Sequence, residues 1–453
     1  MIFDAVFLAR IQFAFTISFH IVFPALSIGL AGYLAAIEFH YLRKKDETNK
    51  EIYKFWVKIF AIVFGMGVVS GVVMPYEFGT NWANFAAKTS NVIGPLMSFE
   101  VLTAFFLEAS FLGIMLFGWN KVSPKMHFAS TVIVAIGTLI SAFWILSVNS
   151  WMHTPQGFMI GEDGFFYPTN WLDVIFNPSF PYRLSHMVLA AYITTAFVVC
   201  GISAYYLYHK KFTKHAKIMF GMAIGFIIIF TPLQIIAGDM HGLNTLKHQP
   251  LKIAAMEGIW EDEKDAPLRL FGIPDEEAEE TKYAIEIPHL GSLILTHHLD
   301  GEIKGLKSFP KEQRPPVKPV FFAFRIMVAL GFAMFGVAMI ALFLFLRKKL
   351  FTTRWFLFLC MMMTPTGFIA LLAGWFVNEI GRQPYLVYGV MKTAEGASNV
   401  AAGKVLFSLI AIVCVYIAIF GAATYYILRL IAKGPQPSVI RQSALHTYYL
   451  DKN

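Results

Sequence analysis

Residues Val101–Trp119 read VLTAFFLEASFLGIMLFGW. A helix over this stretch reaches about 28 Å at about 1.5 Å per residue, close to the roughly 30 Å of bilayer hydrocarbon. It carries no basic residue and one carboxylate, Glu108. It therefore reads as a membrane span with a costly ionisable group near its middle. Around this span, centred near Leu107, similar apolar runs are centred near Phe23, Val69, Gly137, Thr195, Gly225, Phe335, Gly367 and Cys414. The pattern predicts an all-α integral membrane protein with nine transmembrane helices. Composition agrees: 57% of the 453 residues are hydrophobic and only 15% charged, with a mean hydropathy of +0.59, more apolar surface than one soluble core absorbs.

The formal charge of +8 does not point to nucleic acid, because the basic residues cluster in alternate loops between apolar runs. Arg43, Lys44, Lys45, Lys50 and Lys54 follow the first span, and Lys210, Lys211, Lys214 and Lys217 the fifth. Arg347, Lys348, Lys349 and Arg354 follow the seventh, with Arg429 and Lys433 after the ninth. The positive-inside rule makes these sides cytoplasmic, so the N-terminus is expected outside and the C-terminus inside. The first run lacks a basic flank and a small-residue cleavage site and is expected to remain as a span. Spans one to six are expected within residues 1–237 and seven to nine within 321–432, with a cytoplasmic tail over 433–453. The one long polar segment, 238–320, is expected outside as a substrate-docking loop. Cys200, Cys360 and Cys414 lie in apolar segments without CxxC or CxxCH spacing, so any haem is held without thioether bonds.

Ligand-capable side chains inside spans are expensive and mark function. His20 lies in the outer half of span one, His186 opens span five, Met327 comes early in span seven and Glu379 ends span eight. The deduced topology places all four toward the outer face, and haem iron accepts His nitrogen and Met sulfur. In GWFVNEIGRQP (374–384), Trp375, Glu379 and Arg382 fall on one helical face. That carboxylate either forms a structural ion pair with Arg382 or ligates iron while Arg382 meets a propionate. Glu100 and Glu108 stand about 12 Å apart along span three, within a quarter turn of one face. They form either a proton relay, extended by Ser141 and Asn149, or two protonated carboxyls satisfied by neighbouring helices.

With those residues in place, the chain resembles the large subunit (subunit I) of cytochrome bd-type quinol oxidases from Met1 to about Leu430. The resemblance rests on ARIQF with His20 downstream, FGTNW at 78–82, FFLE ending at Glu108, FRIM at 324–327, and GWFVNEIGRQP. It implies a haem-bearing enzyme of the prokaryotic cytoplasmic (inner) membrane. Such an enzyme oxidises ubiquinol or menaquinol on the outer side and reduces oxygen to water with cytoplasmic protons, building proton motive force without pumping. It implies His186 and Met327 as axial ligands of a low-spin haem b. His20 and Glu379 are implied as iron ligands of a high-spin haem b and a third haem, haem d or haem b. Arg325, Trp375 and Arg382 then line the haems, Glu100 and Glu108 serve the proton path and haem site, and Lys252 and Glu257, with Asp239 at the loop entrance, serve quinol. Implied partners are a second large membrane subunit (subunit II) and a small single-helix subunit. The outer loop passes from IKGLKSF through only PKEQ into RPPVKP, which resembles the short-loop type, and the span-three text is similar to the cyanide-insensitive oxidase branch.

Other classes fit the residues less well. A secondary transporter shares buried carboxylates but needs no His and Met candidates in one layer. A haem-copper oxidase needs a histidine cluster within the spans, whereas His241, His248, His289, His297 and His298 are expected in the outer loop, so no copper is expected. A bis-His cytochrome b needs more span histidines than His20 and His186.

Overall fold

The computed structural model describes residues 4–436, so the expected tail falls almost wholly outside the described residues. Among the described residues, nine helices are long and apolar enough to cross a membrane. They are α1 (Ala5–Lys44), α2 (Glu47–Thr80), α3 (Ser90–Phe117), α4 (Pro124–His153), α5 (Phe180–Tyr208), α6 (Thr213–His248), α8 (Val317–Leu346), α9 (Arg354–Ile380) and α10 (Ala402–Lys433). A short helix, α7 (Pro250–Glu257), follows α6. The nine-span, all-α reading holds.

Local chemistry sets the helix ends. Ser123 accepts from the Met126 amide at 3.3 Å just before Pro124 opens α4, using a position where the missing proline N–H costs nothing. Asp46 accepts from the Thr48 amide at 3.0 Å at the start of α2, and Lys214, in the first turn of α6, reaches the same oxygen at 3.1 Å. Two of the basic clusters assigned to one side of the membrane are thus joined directly. The cap from Thr48, with Lys214 adding to it, holds the Asp46 carboxyl down to about 2.

Helix α5 sits centrally. A Cβ on Gly29 of α1 would lie 2.1 Å from Thr195 Oγ1, and one on Gly367 of α9 would lie 2.7 Å from Thr194 Oγ1. Small residues at these crossings bring the three backbones together, the usual way membrane helices gain packing without a hydrophobic drive. An apolar cluster of Ile17, Ile21, Met74, Ala191 and Leu371 joins α1, α2, α5 and α9.

Two span helices depart from regular α geometry. α9 turns at Met363–Pro365, where proline removes a backbone donor. α3 contains a π-helical turn over Val101–Phe105, between Glu100 and Glu108. A π turn holds about one residue more than an α turn. Eight residues then cover the angle of about seven, and the offset between the two glutamates falls from about 80° to about 20°. The backbone irregularity aligns the carboxylates better than regular spacing does.

The segment between α6 and α8 carries a β-hairpin, β1 (Leu268–Asp275) paired antiparallel with β2 (Glu280–Ile287) from Leu268↔Ile287 to Asp275↔Glu280. Here the structure moves a boundary. α6 does not end near Ala237 but continues to His248, so His241 and His248 are helical, not loop residues. Gly238, Asp239 and Gly242 read as breakers, yet an interior glycine costs only about 1 kcal/mol, and no proline intervenes before Pro250.

Candidate haem and quinol site

Three of the four candidate iron ligands rest on a glycine of a neighbouring helix. A Cβ on Gly71 of α2 would lie 3.2 Å from His20 Cε1, one on Gly238 of α6 would lie 3.3 Å from His186 Cε1, and one on Gly374 of α9 would lie 2.8 Å from Met327 Sδ. Each ligand-capable side chain lies on bare backbone at a place where any larger residue would displace it.

The hydrogen bonds of His20 fix its tautomer. Nδ1 is 3.1 Å from Ser70 Oγ, and that hydroxyl donates to the backbone carbonyls of Met66 and Gly67, each at 3.0 Å. With the hydroxyl proton so used, Nδ1–H must donate to Ser70, and Nε2 keeps its lone pair, as an iron ligand requires. The Gln234 amide nitrogen stands 3.3 Å from Nδ1 and 3.2 Å from Nε2 of His186, so it commits neither. His241 packs edge-on against the same ring, with centroids 5.6 Å apart.

Glu379 is the centre of a polar node. Asn149 donates to its Oε1 at 3.0 Å, His153 Nε2 is 3.3 Å from the same oxygen, and Arg382 donates to Oε2. Arg183 donates to Asn149 Oδ1 at 3.1 Å. These donors hold the carboxylate in one orientation. The Arg382 Nε and Nη1 atoms and the Trp375 indole nitrogen are buried without partners, and each such orphaned donor costs about 1–3 kcal/mol. Unpaired donors beside a carboxylate ligand candidate fit the propionates of a haem held there. The donor set suits haem.

Lys252 and Glu257 both lie buried on α7, but they are not brought together. The Lys252 ammonium donates to Gln249 Oε1 at 2.7 Å and lies 3.1 Å from His153 Nδ1. Burial, with Arg183 and Arg382 near, pulls it well below the usual lysine range, against the opposing pull of Glu379. Glu257 instead accepts from Arg325 Nη2 at 2.8 Å. Arg325 also donates to the carbonyls of Met256 and Arg269 and lies 4.0 Å over the Phe321 ring. One guanidinium thus ties α7, the hairpin and the first turns of α8 together.

On α3, Ser141 donates to Glu100 Oε1 at 2.8 Å, while Glu108 Oε1 is buried without a partner. Gly137 makes room for Glu108, since a Cβ there would be 2.7 Å from its Cγ. The sequence reading missed His153, Arg183 and Gln249. The cost of ionisable groups in spans was available to flag the first two, but both stand at helix ends, where they look like interfacial residues.

Comparison with known proteins identifies the family. Residues 8–435 match the family model described as "Cytochrome bd terminal oxidase subunit I". The chain is 37% identical over 441 residues to a Bacillus subtilis protein named cytochrome bd ubiquinol oxidase subunit 1, covering 95% of this chain and 94% of the relative. It is 32% identical to the cytochrome bd-II ubiquinol oxidase subunit 1 of Escherichia coli, over 95% of this chain and 97% of the relative. A solved bd oxidase from Geobacillus thermodenitrificans superposes with a TM-score of 0.89 at 32% identity, covering 95% of this chain and 99% of its own. With sequence, family model and fold in accord over nearly its whole length, the chain belongs to the cytochrome bd terminal oxidase subunit I family.

Proposed function

We propose that this chain is the haem-bearing subunit of a terminal quinol:oxygen oxidoreductase in the inner membrane of a prokaryote. The observation that carries the reading is the setting of His20, His186 and Met327 on glycine and of Glu379 among donors, inside a chain of this family.

His186 and Met327 are assigned to a low-spin haem b, and His20 and Glu379 to the irons of a high-spin haem b and a third haem, d or b. When bound, these haems accept electrons singly and hold and reduce oxygen. The residues supply the rest. Arg382 and Trp375 offer their unpaired N–H groups to propionates. Lys252, whose ammonium burial destabilises, and Glu257, fixed by Arg325, stand where a quinol hydroxyl would be oriented and its protons taken up. Quinol gives up two electrons and two protons on the outer side. Four electrons and four protons convert oxygen to two waters, the protons arriving from the basic-loop side through Glu108 and Glu100, with the Ser141 hydroxyl on the latter. Charge separates without pumping. Subunit II and a small single-helix subunit complete the assembly. The short passage from IKGLKSF through PKEQ into RPPVKP supports a short outer loop, over 249–316 between α6 and α8.

The test is to purify the complex from its native membrane, extract its haems and record reduced-minus-oxidised spectra. Haem b with a long-wavelength chlorin band places it among true bd enzymes, and haem b alone places it in the cyanide-insensitive branch. No haem would overturn the reading in favour of a transporter.

A further inference from the structure

One imidazole joins the proposed quinol side to the proposed iron ligand. His153, in the last turn of α4, has no exposed surface (0%). Its Nε2 is 3.3 Å from Glu379 Oε1 and its Nδ1 is 3.1 Å from Lys252 Nζ. Gln249, at the start of α7, has its amide nitrogen 3.4 Å from the same Nδ1 and donates to the His153 carbonyl at 3.2 Å. Asn149, one turn earlier on α4, donates to the same carboxylate oxygen as His153 does.

The direction of these bonds follows from atoms that have only one role. A backbone carbonyl only accepts, so the Gln249 group facing the His153 carbonyl is its NH₂, and that NH₂ also faces Nδ1. Nδ1 then accepts from that NH₂ and from the Lys252 ammonium. The proton of the neutral ring sits on Nε2 and points at Glu379. The ring therefore accepts from α7 and donates to α9. Hydrogen-bonded partners behind a ligand fix its orientation and basicity, and here that partner is itself held by the short helix bearing Lys252.

We propose that His153 is a positioning residue that couples the Lys252 side of α7 to the carboxylate of Glu379, so that a change at Lys252 alters the haem that Glu379 holds. This inference rests on the functional reading above. It adds a mechanical link between the place where quinol is oxidised and a high-spin haem, made through both ring nitrogens of one side chain.

Conservative variants separate the two nitrogens. His153→Gln places an amide near the Nε2 position and keeps a donor to Glu379. His153→Asn places one near the Nδ1 position and keeps only the α7 side. Each is combined with Lys252→Met in the complete complex purified from its membrane, and the reduction equilibrium of each haem is read by optical redox titration. With His153 native, Lys252→Met changes the reduction equilibrium constant of the Glu379-bound haem by about fivefold or more, the lower end of typical coupling between sites. In the His153→Gln background that effect shrinks, while the band position and equilibrium stay near native. His153→Asn alone shifts both. An equal Lys252→Met effect in all three backgrounds, or a His153→Asn complex with native bands and equilibrium, overturns the coupling. If His153→Asn does not assemble, the Lys252→Met effect in the His153→Gln background decides alone. A native complex without haem instead overturns the functional reading, so the two failures are distinct.

Discussion

Met327 Sδ lies against Gly374, where an added Cβ would stand 2.8 Å from the sulfur. The thioether is thus held by the absence of a side chain on α9 and has only the flexibility of methionine to yield with. We predict that Gly374→Ala pushes the sulfur aside and weakens its proposed bond to iron, with a loss of oxidase turnover of about 10- to 100-fold. Met327→Leu should convert the low-spin haem to high spin. Optical spectra of the purified variants check both, and intact low-spin bands in Met327→Leu would show that sulfur is not the ligand.

The spans were legible in the sequence because length and hydropathy act locally along the chain, and the cost of buried polar groups singled out the four ligand candidates. What was not legible depends on relations between helices. His241 was placed in a loop because 238–320 reads as one long polar segment, whereas only packing against α5 shows that the helix runs on past His186. His153 became significant only once α4, α7 and α9 met around it. The π turn at Val101–Phe105 leaves no mark in hydropathy, yet it decides how closely Glu100 and Glu108 align.

That alignment bears on proton delivery. Glu108 has a buried carboxylate oxygen without a partner and Glu100 is bonded to Ser141. Glu108→Gln keeps the shape and removes the exchangeable proton. We expect the variant to retain its haems while oxygen reduction slows about 100-fold, the lower range for loss of a positioned acid or base. Unchanged turnover and reduction kinetics would remove Glu108 from the path.

Asp46 offers a pH test outside the spans. Its folded carboxyl is held down to about 2 by the Thr48 cap and Lys214, against an ordinary value of 3.8. A depressed carboxyl stabilises the fold above its unfolded value, and that contribution erodes as pH falls from about 4 through the folded value. Asp46→Ala should cost about 1 kcal/mol near neutrality, the usual worth of an N-cap. The difference in thermal midpoint between native and variant protein should close on acidification; a gap independent of pH would mean that the charge does not matter.

The ion pair of Glu257 and Arg325 links α7 to α8, with side chains 8% and 14% exposed at 2.8 Å. Removing one member leaves the other charge buried and unmatched, which costs about 3–5 kcal/mol in a well-buried pair. Arg325 additionally holds the carbonyls of Met256 and Arg269, so Arg325→Met should loosen both α7 and the hairpin, while Glu257→Gln should disturb α7 alone. We expect faster amide exchange and easier proteolysis over 249–316 in Arg325→Met than in Glu257→Gln, with quinol affinity reduced in both. Equal protection in the two variants would show that the guanidinium serves only its carboxylate. Because Lys252 shares α7 with Glu257, loosening this helix should also weaken the Lys252 contact with His153, tying the stability of the outer segment to the haem that Glu379 is proposed to hold.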